Sequence, residues 1–598
     1  MSFTKMQIVL AKILGMTVFI LAAALVMIPA AAYSDAGGKP VWDKRYKYTW
    51  MKWGQEYWPT KPVRGGYFRT AAARYVGYMN PNHWPVNDWT VISHFYEGIT
   101  GTDGKYNQKN PWLMAYWEYP DPLTVIMKFK EGIKFHDGSP MNAASVKYQI
   151  EWMKDKRNGC WTRADLRRFK SIEVVDEYRL RWRTKEPWAS FPTGFFAFII
   201  SAEALKGDVL IREAKNEAAR AKRLKKQAAA SGKEEDRKAA ARAEEEARAA
   251  AKKAEAKKST DHYPLGTGPF ILEEARPGNY VKVKRNPNWW FGRSVGHPDM
   301  PYFDGVKTTV IPDPSIQLAN LRAGKIDSMV VNKALYIKIK NDPNFNVHVF
   351  PHYTVRALSF NHAEGPCQDI RVRQAVSHAI DRKALIHGTQ FGLGRIASCL
   401  FPGNHWAHNP NLKPLSYDPE LSRRLLADAG YKDGLKLKGH MGNSPEATAL
   451  TEAIKAMLTK VGVNWKVEAL DPVAMTDKRK NREYDLCVGD VGYIQDPDSF
   501  VNWLYGPTGS FNWGRSNNPK VIPLIEAGRI ELDQEKRARI YHQLEEAIYE
   551  NYEDVWMWWE MVAMAYRKSV QGFNYDMYLK DLNLYSYSHP LWFKDGRP

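Results

Sequence analysis

The chain has 598 residues, too many for one hydrophobic core, which predicts two or three domains. Hydrophobic residues make up 44% and charged residues 25%, the balance of a soluble globular protein. The formal net charge of +20 raises nucleic acid as a partner, but no zinc-finger or RNP-type motif accompanies it, and an anionic membrane surface explains it at least as well.

The N-terminus reads as an export segment. Lys5 and Lys12 precede an apolar run from Ile13 to Ala32 that closes on Pro29-Ala-Ala-Ala32. Cleavage after Ala32 is expected, with an uncleaved anchor as the rival, because the run is long enough to span a bilayer. No Cys near the cleavage region supports a lipid anchor. A Trp-rich linker follows, taken as 33–62. A turn at Gly65-Gly66 feeds a first strand through Thr70. Leu123–Lys130 alternates apolar and polar, the period of a half-buried strand, and so does Glu173–Trp182. Ala143–Met153 reads as a helix.

Lys206–Lys258 is built of Ala, Lys, Arg and Glu, all strong helix formers. It holds 17 Lys/Arg against 10 Asp/Glu, so +7 of the net charge sits there. Ser231-Gly232 near its middle predicts two helices folded back as a hairpin. With almost no Leu, Ile, Val or Phe it has no core face to bury. It is therefore expected to project into solvent, either as a tolerated insertion or as a docking element.

Beyond it, strands are expected at Tyr280–Lys284, Lys307–Ile311, Asn346–Phe350, Ala357–Asn361, Asn464–Glu468 and Val555–Met561. Helices are expected at Ile316–Ala323, Val372–His387, Pro419–Ala429, Pro445–Val461 and Gln534–Tyr549. Alternation of this kind indicates an α/β fold. Cys160, Cys367, Cys399 and Cys487 match no zinc spacing. A Cys367–Cys399 bridge is conceivable, and buried free thiols are the other reading. The 22 Trp and 31 Tyr serve either a core or a ligand cleft.

A series of blocks carries a family resemblance. Gly132-Ile-Lys-Phe-His-Asp-Gly-Ser-Pro140 follows the lead-in Pro111-Trp-Leu-Met-Ala-Tyr-Trp-Glu118. Then come Gly266-Thr-Gly-Pro-Phe270, Lys284-Arg-Asn-Pro-Asn-Trp-Trp290 and Pro301-Tyr-Phe-Asp304. Asp369–Arg382, Tyr417–Gly430, Asp496-Pro-Asp-Ser-Phe500 and Phe511–Pro519 complete the order. Together they resemble the extracellular solute-binding proteins of the peptide/nickel ABC-transporter class, family 5. The resemblance implies a two-lobed α/β periplasmic-binding-protein fold with an extra subdomain and, here, an inserted helical hairpin at 206–258. Lobe bounds are expected at 63–355 and 356–553, with 554–598 returning to the first lobe. It also implies a monomer that captures a peptide or other small solute, works with ABC permease and ATPase subunits, and uses neither cofactor nor nucleic acid.

Single residues follow from that frame. Peptide-binding relatives carry a Trp and, three residues later, an Asp that pairs with the ligand's amino group. Aligned on Asp496-Pro497-Asp498, those positions fall on Asp490 and Tyr493. The expected pair is missing, which puts α-amino anchoring of a peptide in doubt. Asp490 is a displaced carboxylate, Tyr493 a stacking ring, or both merely pack. Arg356, Phe360 and Asn361 lie on the strand entering the second lobe, where Arg356 is either an anion clamp or a surface ion pair. Tyr75, Tyr78, Trp406, Trp503 and Trp513 are candidate cleft rings or packed residues. His136 and Asp137 resemble a catalytic pair but fit turn stabilisation better. His405 and His408 have a spacing open to a metal, without a supporting Cys or carboxylate. No hydrolase, Walker or dinucleotide motif appears. An exported hydrolase of glycan or peptide, and a sensory or scaffold protein on the same fold, remain the alternatives.

Overall fold

The computed structural model describes residues 61–83, 86–101, 110–163, 165–191, 198–294, 296–492, 496–572 and 591–598. The expected export segment and nearly all of the expected linker lie outside them. Among the described residues no helix is long and apolar enough to cross a membrane.

A nine-stranded mixed sheet forms the frame. Its order is Leu486–Val491, Phe345–Phe360, Asp554–Arg567, Ser328–Val331, Tyr67–Ala72, Gly305–Val310, Tyr280–Arg285 and Phe270–Arg276, with Gly394–Ile396 added on Asp554–Arg567. Tyr67–Ala72 runs parallel to Gly305–Val310 and Ser328–Val331, and the remaining pairs are antiparallel. A separate antiparallel sheet of four strands, Met114–Asp121, Thr124–Phe129, Arg179–Thr184 and Phe169–Asp176, is the extra subdomain. In the second lobe Leu435–Gly442 and Val463–Leu470 pair in parallel, joined by the helix Pro445–Lys460. Such a parallel crossover needs a connection long enough for a helix.

Two strands belong to both halves. Phe345–Phe360 and Asp554–Arg567 pair along their length, with irregularities between Pro351 and Val355 and between Arg356 and Ala357. On one side of the break, Phe345, Met561, Ala563 and Ala565 enter a core with Leu318, Leu321 and Leu335. On the other, Leu358, Val555 and Trp558 pack with the helices Ile370–His378 and Arg382–Gln390. Trp556 and Val355 join a neighbouring core under Val521–Ile530 and Gln534–Glu550. The expected bounds at 355/356 and 553/554 therefore fall within one of these strands and at the start of the other. The C-terminal return packs on the first lobe, where Phe303 lies 4.8 Å from Phe593 and stacks on Phe68 at 4.9 Å.

Buried polar contacts explain why separated sequence blocks occur together. The Glu97 carboxylate is fully enclosed and accepts from the indoles of Trp112 (2.9 Å), Trp289 (3.1 Å) and Trp290 (2.9 Å) and from Thr267 Oγ1 (2.8 Å). Three of the recognised blocks thus meet on one carboxylate. Gly266 and Gly268 allow this approach: a Cβ at Gly266 would lie 2.2 Å from the Phe95 carbonyl oxygen, and one at Gly268 2.6 Å from that of His94.

The structure corrects several element expectations. Glu173–Trp182 is two strands, parted by the Glu177-Tyr178 turn. Val372–His387 is two helices, because the Asp381 carboxylate accepts the Ala384 amide and starts a new one. The two short strands expected at 346–350 and 357–361 form one long strand across the break at Pro351. All four cysteines are buried free thiols, so no Cys367–Cys399 bridge forms.

The hairpin forms as two helices, Ala202–Ser231 and Glu234–Ala254, with Gly232 at φ 66° closing the first and donating its N–H to the Ala228 carbonyl. It does bury a face, however. Ala221 and Ala228 of the first helix and Ala240 and Ala243 of the second form a closed seam, since side chains this small let two helices approach. Arg220–Glu246 (2.8 Å) and Lys225–Glu244 (2.8 Å) flank it. At the root Leu205 is buried, the Thr260 amide donates to Asp208, and Asn80 donates to Thr260 Oγ1 at 2.7 Å.

Candidate functional site

The passage between the lobes collects charge. Glu560 sits on the long C-terminal strand among buried apolar neighbours. Its carboxylate meets Lys333 Nζ at 3.0 Å and Arg356 Nη2 at 3.2 Å, and accepts from Trp558 Nε1 at 3.2 Å. Burial alone would raise its pKa, but Lys333 and Arg356 outweigh that and hold it below the ordinary value. Lys333 also bonds Gln390 of the second-lobe helix, so the cluster ties the two halves where their shared strands are irregular. His352, in the same stretch, is kept neutral to lower pH by burial. The Arg356 side chain is 23% exposed, and Arg356 stands directly opposite Asp490 in strand register.

A second polar contact joins surfaces that belong to different cores. The Asp498 side chain is wholly buried and accepts from Ser190 Oγ (2.8 Å), Trp188 Nε1 (3.2 Å) and Arg168 Nη1 (3.3 Å) of the first lobe. Its other oxygen lies 3.6 Å from Arg529 Nε of the second lobe. The Ala189 amide donates to the Arg529 carbonyl at 2.7 Å, and Arg168 lies over the Trp188 ring at 4.9 Å. Two steps earlier, Asp496 makes a two-pronged pair with Arg537 at 2.6 Å and caps the helix Pro497–Tyr505. Bidentate pairs of this kind fix geometry as well as charge.

The residues singled out in the sequence fall into three groups. Arg356 and Asp490 are brought together, although Arg356 is engaged by Glu560 rather than standing as an unoccupied clamp. Tyr78 follows the first strand and is exposed, edge-on to His83 at 6.2 Å, while Tyr75 is half-buried against the first core. Trp513 is half-buried, with Phe511 edge-on at 5.3 Å and Arg479 over its face at 5.4 Å. Trp406 packs on Tyr541 and under Arg537, beside the Asp496 pair. Phe360 and Asn361 are corrections. Phe360 is 1% exposed in the second-lobe core, and Asn361, equally buried, donates to the Tyr484 carbonyl and accepts from the Ala363 amide. Both shape the lobe from within. Tyr493 lies outside the described residues.

The histidine pairs have structural partners. His136 is buried with its pKa lowered to about 4, Nε2 donating to the Gly268 carbonyl at 3.0 Å. Asp137 accepts from Ser139 and Ser201, the turn-binding role anticipated for it. His405 stacks on Phe401 at 4.9 Å and accepts the Ala407 amide, while His408 faces the buried Glu545 at 3.6 Å.

Sequence reasoning missed Lys333, Glu560, Asp498, Arg168 and Arg529. Glu560 had a signal: it is a single acid inside Val555–Tyr566, and a charge in a buried strand requires a partner. Asp498 was noticed only as part of a block, since its first-lobe partners lie more than three hundred residues away.

Known proteins resemble this chain in sequence and in fold. The chain is 26% identical to heme-binding protein A of Haemophilus influenzae over 468 residues, 72% of this chain and 76% of that one. It is 23% identical to the glutathione-binding protein GsiB of Escherichia coli K12 over 499 residues, 81% of this chain and 86% of that one. Its fold matches the structure of HbpA2 from Haemophilus parasuis with a TM-score of 0.70 and 22% identity, over 88% of this chain and 100% of that one. The family model described as bacterial extracellular solute-binding proteins, family 5 Middle, matches residues 109–512. That span takes in the extra subdomain, seven of the nine strands of the large sheet, and both polar contacts except for Trp558, Glu560 and Arg529, and with it the chain belongs to the bacterial extracellular solute-binding proteins, family 5.

Proposed function

We propose that this substrate-binding component of an ABC importer closes its two lobes on a peptide or another small solute outside the cytoplasmic membrane and delivers it to a permease and ATPase. One observation carries the reading: the lobes share two long strands with a break at Pro351–Val355 and also meet through the Asp498 cluster. Shared strands that lose their regular pairing at one point supply a hinge, and separable polar contacts supply a closed state. Closure excludes water and strengthens every polar contact to a ligand inside.

The contact set we propose is Tyr78, Arg356, Asp490, Tyr493 and Trp513, with Tyr75 and Trp406 supporting it. Asp490 stands opposite Arg356 in strand register, which supports this pair of residues as contacts at the passage. A peptide anchored through its α-amino group at the usual aspartate is disfavoured, because Tyr493 holds that position. A peptide held elsewhere, or a solute with both anionic and cationic groups, fits better. The lobe bounds at 63–355 and 356–553, the return over 554–598, export by the N-terminal segment and the absence of turnover belong to the same proposal. Mass spectrometry of small molecules released from gently isolated protein tests it. One solute that rebinds at a single site, with affinity reduced by Asp490→Asn, supports the reading. Turnover of a glycan or peptide library overturns it in favour of a hydrolase.

A further inference from the structure

The importer reading makes no use of the hairpin, yet its first helix carries an ordered charge pattern. Ala202–Ser231 is 30 residues, about 45 Å of helix at 1.5 Å per residue. At 3.6 residues per turn, Lys215, Lys222, Arg223 and Lys226 fall within an arc of about 100°. That arc lies opposite the buried Ala221 and Ala228. All four side chains are exposed. Three acids of the hairpin are paired along the flank of the seam: Glu217 and Glu246 with Arg220, and Glu244 with Lys225. Beyond Asp208 at the root, which is bound to Thr260, no acidic residue of this helix enters the arc. Within the arc, Ala219 and Ala230 fill positions between the cations.

We propose that this cationic stripe docks on an anionic phospholipid bilayer. Charge complementarity names the occupant. A straight row of cations meets a plane of diffuse negative charge without needing a shaped counterpart, and each basic residue near such a surface adds to the attraction. A protein partner is less suited, since tight protein interfaces centre on aromatic or large apolar anchors and the stripe offers only alanine. The hairpin is rooted through Asp208, Thr260 and Asn80 in the first lobe, so docking would hold that lobe at the membrane where the importer sits while the second lobe stays able to move.

The test uses the full chain with Ala219→Cys, labelled by an environment-sensitive dye. The label is selective because the four native cysteines are buried. Vesicles of mixed phosphatidylglycerol and phosphatidylcholine should shift the emission, pure phosphatidylcholine vesicles should not, and salt at about 0.5 M should abolish the shift. Changing Lys215, Lys222, Arg223 and Lys226 to Gln keeps helix propensity and should weaken the response at least about tenfold. The pair Arg248→Gln and Lys252→Gln on the other helix should leave it within about twofold. No shift on anionic vesicles, an equal shift on neutral ones, or equal loss from both sets of substitutions would overturn the proposal. Because the readout sits on the hairpin, it stands or falls independently of which solute the lobes bind.

Discussion

Single residues in this protein act through how completely they are enclosed. Glu97 receives four donors and has no solvent to share them with. Glu97→Gln would turn one oxygen into a donor facing indole N–H groups. The expected loss is about 1–3 kcal/mol, read as a lower denaturant midpoint with unchanged slope. Glu560 is subtler because it joins two cations. Glu560→Ala leaves Arg356 and Lys333 facing each other at the passage between lobes. Both cations are partly exposed, so the expected cost is at the low end of the ~3–5 kcal/mol seen for broken buried pairs. Asp490 was visible in the sequence as a departure from a family pattern. Its placement opposite Arg356 was not, because register between strands far apart in the chain has no local signature.

At the scale of elements, composition was a good guide to existence and a poor one to length. The hairpin, its two helices and its turn at Gly232 were all readable from Ala, Lys, Glu and one Ser-Gly step. Its seam was not, because alanine looks indifferent to burial until a second helix is placed against it. Ala221→Leu should overpack that seam and lower stability by roughly 1–3 kcal/mol, provided the hairpin melts with the domain. Removing residues 211–255 while keeping Asp208 and Thr260 should leave solute affinity within about tenfold; a larger loss would tie the hairpin to the binding site. Removing Lys206–Lys258 entirely is a harsher cut, since it takes away the Asp208 contact that steadies Thr260 and, through it, the Asn80 loop. The helix break at Asp381 illustrates the same limit. The capping residue was in plain sight, but an apolar pattern continuing across it masked the boundary.

The whole molecule adds couplings that no element contains. Asp498 links Arg168, Trp188 and Ser190 to a second-lobe helix, so Asp498→Ala should favour the open form. The expected signs are a larger radius of gyration by X-ray scattering and solute binding weaker by about tenfold. An unchanged radius and affinity would show that the contact does not control closure. Acid stability follows from the buried histidines. Burial lowers the pKa of His94, His136, His348 and His440 to about 4. Their unfolded forms take up protons near pH 6.5, before the folded forms do. Their contribution to stability is therefore complete above about pH 6.5 and is lost as pH falls toward 4. Asp554 runs the other way, its pKa raised to about 6 by burial, so its ionisation costs stability as pH rises through that value. The four histidines should outweigh it, giving a denaturant midpoint that drops between about pH 6.5 and 4, with a shallower drop in His136→Gln.

The sequence by itself determined the lobes' α/β character, the hairpin insertion and the family, because periodicity, helix propensity and ordered blocks are properties of contiguous residues. It also raised doubt about an α-amino-anchored peptide, a matter of which residue occupies one position. Only the tertiary structure decided that Phe360 and Asn361 serve the core, that Arg356 is shared between Glu560 and the strand facing Asp490, and that Asp498 spans the two lobes. The physical reason is the same in each case. A charge or a ring acquires its role from what encloses it, and here the enclosing groups come from segments separated by more than a hundred residues.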